Sequence, residues 1–60
     1  MQPTSTLCRA QEALHRARAE SATLINVRAV AESAVAAWVA EGLLAEKREQ
    51  RQAQAALRRD

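Results

Sequence analysis

The chain has no Phe and no Tyr, and it holds one residue each of Gly, Pro, Cys, Met, Trp and His among its 60. With one Cys there is no internal disulfide, and with one His beside it a self-contained zinc site lacks ligands. With so few turn formers, a sheet of strands joined by tight turns has nothing to build its turns from. Long hydrophobic runs are missing as well. The longest stretch free of Arg, Lys, Asp and Glu is eight residues, where a membrane-spanning helix needs about 20. The opening Met1-Gln2-Pro3-Thr4-Ser5-Thr6 has neither a basic nor an apolar run, so no secretory leader is read there. A reducing cytoplasm is the expected compartment, and no membrane partner is expected.

What is present is helix-forming. Ala, Arg, Glu, Gln and Leu dominate, and all five rank high in helix propensity. The hydrophobic share of 48% overstates the core, because 15 of those residues are Ala. The large apolar side chains are six Leu, four Val, Ile25, Trp38 and Met1. A 60-residue chain so equipped needs support beyond its own packing, and a second chain is the natural source.

Two helices are expected. Thr4, Ser5 and Thr6 offer N-caps, since each hydroxyl accepts from an orphan amide. From there Leu7, Ala10, Leu14, Ala17, Ser21 and Leu24 recur at spacings of three and four, a heptad seam, with Arg9, Glu12, Arg16 and Glu20 opposite. Glu12 and Arg16 form an i,i+4 pair in the favourable order. The first helix is placed at about 5–21. Residues 21–26 are the weakest window, rich in β-branched side chains and Asn. A turn there would use Asn26 as N-cap, with Ile25 and Val30 as a hydrophobic staple; one uninterrupted helix is the rival reading. The second helix is placed at about 27–58, its main face carrying Val27, Ala31, Ala34, Val35, Trp38, Gly42 and Ala45.

Antiparallel packing about a turn near residue 24 pairs positions that total about 48. Ala10 would then meet Trp38, Leu14 meet Ala34, Ala17 meet Ala31, and Ser21 meet Val27, large against small. Trp38 would be the bulky anchor, its loss costing ~3–5 kcal/mol. The second helix would project past the first by roughly 20 Å. The expected fold is therefore all-α, an antiparallel, coiled-coil-like helical hairpin in one domain with a charged extension over 46–60. Two hairpins would pair into a four-helix bundle homodimer.

No catalytic constellation emerges. Cys8, Glu12 and His15 share one side of the first helix, but residues seven apart lie ~10.5 Å apart along the axis, too far to share an ion readily. Cys8 lacks an activating base and reads as inert on a half-exposed edge. Glu32 and Glu41 are about two and a half turns apart and serve to keep an edge wet. The expectation is a non-enzymatic interaction module or scaffold without cofactor, metal or small-molecule substrate. It would bind a second copy or a larger protein through Val30, Val35, Trp38, Val39, Leu43 and Leu44. The alternative is a small regulator that contacts nucleic acid through Lys47, Arg48, Arg51, Arg58 and Arg59. The whole-chain net charge is only +2, which makes that surface modest.

The spacing Leu24-x-Asn26-Val27-Arg28, Ala34-Val35-Ala36-Ala37-Trp38 and Ala45-Glu46, with the basic run after it, resembles that of short bacterial helical proteins with no assigned activity. The resemblance spans roughly residues 20–50. It implies a helical hairpin and no function. Such sequences often carry a polar or Met-containing turn after the Trp, where this chain has the more apolar Val39-Ala40-Glu41-Gly42-Leu43-Leu44.

Overall fold

The computed structural model describes residues 2–58, and Arg59 of the proposed basic surface lies outside them. Two helices, α1 (Ser5–Ser21) and α2 (Ile25–Arg58), pack antiparallel as a hairpin of 55 × 16 × 13 Å. No helix among the described residues is long and apolar enough to cross a membrane.

Each helix end has a local cause. Thr4 holds an extended backbone, and its side-chain oxygen accepts from the Leu7 amide at 3.1 Å, making it the N-cap among the three candidates. The Thr4 carbonyl takes the first helical bond, from the Cys8 amide. At the other end Ala22 returns to extended backbone, and the chain turns through Ala22, Thr23 and Leu24 without any positive φ. The Arg28 guanidinium donates to the Ala22 carbonyl at 3.4 Å, which serves an acceptor left over at the end of α1. The turn is therefore shorter than expected, and α2 begins two residues early. The Leu24 carbonyl accepts from Arg28 N, so Asn26 sits inside the helix and does not cap it. The proposed staple is absent too, because Ile25 and Val30 are both helical and strongly exposed.

The inner face of α2 is the one its periodicity gives, except for Val27, which is exposed. Ala31, Gly42 and Ala45 are buried along it, while Ala34, Val35 and Trp38 are half-buried. The inner face of α1 is not the predicted one. Cys8 and Ala19 are buried and Ser5, Glu12, His15 and Ala22 are half-buried, at spacings of three and four. The expected seam of Leu7, Ala10, Leu14, Ala17, Ser21 and Leu24 faces out, with Leu7 and Leu14 45% and 44% exposed. α1 is thus rotated by one to two residues about its axis. The reason lies in what the polar seam can bond. Ser5 reaches a carboxylate on α2, and small side chains at Cys8 and Ala19 let the backbones approach, whereas leucines would hold them apart.

The register shifts with the rotation. A pairing total of 48 would set Ser5 beside residue 43 and Arg9 beside residue 39. Instead Ser5 bonds Glu49 and Arg9 bonds Glu46, and Arg48 donates to the Pro3 carbonyl at 3.1 Å. The helices overlap further than expected, so the part of α2 beyond α1 is residues 50–58, about 14 Å of helix. Residues 46–49 of the proposed extension over 46–60 are accordingly docked on α1, and residues 50–58 project.

Candidate interaction surface

The two edges of the hairpin differ in kind. On one, Glu12 binds two arginines, Arg9 Nη1 at 2.9 Å and Arg16 Nη2 at 2.7 Å. Arg9 continues across to α2, with its Nε donating to Glu46 Oε1 at 3.1 Å and its Nη2 bonding the same oxygen. The guanidiniums of Arg16 and then Arg9 hold the Glu12 carboxyl below its ordinary range. Toward the turn this edge continues as an open groove of about 500 Å³, where Arg16, Glu20, Arg28 and Glu32 surround Ala19 and Val35. This is a solvated ionic edge, and such exposed pairs add little stability.

The other edge is apolar. A groove of about 360 Å³ runs between the helices, lined by His15, Arg18, Val27, Val30, Ala31 and Ala34 among others. Helical spacing extends it toward the open end of the hairpin on both helices. Leu14 lies four residues before Arg18, and Leu7 seven before Leu14. On α2, Ala37 and Leu44 follow Val30 at intervals of seven. Val30 is 71% exposed, and Leu44 is also exposed.

The six residues proposed for interaction do not form one patch. Val30 and Leu44 belong to the apolar edge, and Leu43 and Val39 lie toward the ionic one. Val35 and Trp38 sit half-buried near the seam, so Trp38 is partly used inside the hairpin and is not a fully buried anchor. Leu7 and Leu14 complete the apolar edge. Sequence reasoning missed them as surface because it assigned them to the seam; their spacing of seven was the available signal.

Among the basic residues, Lys47, Arg51 and Arg58 are exposed, and Arg48 is half-buried against Pro3. Lys47, Arg51 and Arg58 recur at four and seven, which keeps them on one side of α2, away from α1. The neighbouring acids are turned inward. Glu46 goes to Arg9 and Glu49 to Ser5.

Cys8 is fully buried, a correction to the half-exposed edge expected for it, and Glu12 is engaged by its arginines. Among the described residues no three His, Cys, Asp or Glu side chains gather as a metal site. Glu32 and Glu41 are both exposed.

No family model, no curated protein and no solved structure matches the chain.

Proposed function

We propose that the protein is a non-enzymatic interaction module that works by associating with itself, presenting apolar surface from both helices. The observation that carries this reading is how little the hairpin encloses. Among the described residues the buried apolar core is Cys8, Ala19, Ala31 and Ala45, while Leu7, Leu14, Val30, Leu43, Leu44 and others stay exposed. The chain exposes 4851 Å² at 6.6 kDa, where a compact monomer of that mass exposes about 3,900 Å². The excess, about 1,000 Å², is close to the ~800 Å² that each partner buries in a specific interface. A reducing cytoplasm suits the single unpaired cysteine. Sedimentation velocity across a micromolar concentration series tests the reading: a concentration-dependent shift to dimer or larger is expected, and a well-folded monomer throughout overturns it.

A second reading has its own observation. Lys47, Arg51 and Arg58 form a basic stripe about 16 Å long on the outer side of α2, while Glu46 and Glu49 are occupied by α1. That stripe suits a phosphate backbone. Binding to a nucleic-acid duplex should weaken steeply with added salt. Replacing the three cations with Gln should abolish it and leave self-association unchanged.

A further inference from the structure

We infer that the partner on the apolar edge is a second copy of the chain, docked antiparallel about a two-fold axis that crosses the hairpin near Leu14 and Ala37. The inference rests on the self-association proposed above and gives it a face and an orientation.

The face follows from the contrast between the edges. The ionic edge is closed by Glu46, Arg9, Glu12 and Arg16, whose partners are already supplied within the chain. Covering it would strip water from four charged groups in return for the apolar contact of Leu43 and Val39. The opposite edge holds Leu7, Leu14, Val27, Val30 and Leu44, each of them exposed, with Val27 and Val30 lining the apolar groove beside His15 and Arg18. Removing about 1,000 Å² there would bring the chain's exposed surface of 4851 Å² down to what a compact protein of its mass shows.

The orientation follows from register. Arg9 packs on Gly42 and Pro3 receives Arg48, so Leu14 lies about level with Ala37. Val30 and Leu44 stand seven residues either side of Ala37. A two-fold axis at that level returns the pattern on itself: Ala37 meets Ala37 of the other copy, Val30 meets its Leu44, and Leu14 meets Leu14. The central layer then has two leucines and two alanines, large beside small, as close packing requires. The flanking layers bring Leu7 and Leu44 of one copy to Val30 of the other. The alternative two-fold, along the hairpin, would send both projecting ends the same way. The antiparallel arrangement sends those ends in opposite directions.

The test uses the full chain. Leu14→Glu puts a carboxylate at the axis twice over and should weaken dimerisation by about 100-fold or more in sedimentation, while Leu43→Glu on the other edge should leave it within a few-fold of the parent. Cysteine cross-linking reads the geometry in the folded protein. On a Cys8→Ala background, Leu14→Cys should form an inter-chain disulfide under mild oxidation, and Gln54→Cys on the projecting end should not. A dimer broken by Leu43→Glu and indifferent to Leu14→Glu would overturn the assigned face and leave self-association standing. Cross-linking through Gln54→Cys in place of Leu14→Cys would overturn the antiparallel axis. A parent chain that stays monomeric removes both this inference and the reading beneath it.

Discussion

Ser5 and Glu49, at opposite ends of the sequence, close the open end of the hairpin. The Ser5 amide donates to Glu49 Oε2 at 2.8 Å, and the Ser5 hydroxyl donates to Oε1 at 2.6 Å. Glu49 thus places its carboxylate at the N-terminus of α1, where unpaired amides and the helix dipole favour negative charge. Thr4 caps the same turn from within, so one helix end is tied by a local side chain and by one 44 positions away.

This contact makes the hairpin sensitive to acid. The Ser5 hydroxyl and then the Ser5 amide lower the Glu49 carboxyl below its ordinary value, as Arg16 and Arg9 do for Glu12. A group whose folded pKa is depressed adds stability that is fully present above its unfolded value, about 4.3, and is lost as pH falls through the lower folded value. Melting followed by circular dichroism should therefore be flat from pH 7 to about 5 and fall below about 4. Glu49→Gln keeps one acceptor and loses the charge. It should lower the melting temperature at pH 7 and flatten the acid slope. An unchanged slope would show that Glu49 is not held in the folded chain.

Gly42→Ala should stabilise the protein. Gly42 is buried and helical, with no positive φ, so its freedom is a cost and serves no turn. A Cβ there would lie 3.4 Å from Arg9 Cζ, an ordinary contact with the end of a flexible side chain. Ala gains about 1 kcal/mol of helix propensity, or roughly 4–8 °C in a domain this small. A lower midpoint in urea would mean that the helices need closer approach at this position than the Arg9 side chain allows.

Cys8 should be chemically silent until the hairpin opens. Its side chain is fully buried between the helices. A thiol reagent should label native protein far more slowly than protein in denaturant, at a rate that follows the opening equilibrium. Cys8→Ser places a hydroxyl at a fully buried position and should cost about 1–3 kcal/mol. Rapid native labelling would contradict the position of α1's inner face.

Trp38→Ala should cost less than a buried tryptophan would. The side chain is half-buried, which lowers the expected loss from ~3–5 kcal/mol to about 2 kcal/mol. Its fluorescence should lie between the buried and solvated limits and move blue as the concentration rises through any association. A loss at the upper figure would mean that another chain covers the rest of the ring.

The basic stripe of Lys47, Arg51 and Arg58 was legible in the sequence, because charge and spacing alone set it. The apolar surface was only half legible. Val30 and Leu44 were visible as excess apolar residues on α2, but Leu7 and Leu14 were assigned to the interior.

The helices themselves, the Thr4 cap, the end of α1 at Ser21, the Glu12–Arg16 pair and the inner face of α2 are local facts, fixed by propensity, capping and a periodicity within one helix. The rotation of α1 and the slide of its register are not local. α1 has two stripes at heptad spacing, one through Leu7 and Leu14 and one through Cys8 and Ala19, and hydropathy prefers the first. Tertiary structure took the second, in which Cys8 and Ala19 allow close approach and Ser5 bonds Glu49 across the gap. Interactions between residues 44 positions apart carry no periodic signal, so the choice of which stripe to bury, and which leucines to leave outside, was made only when the two helices met.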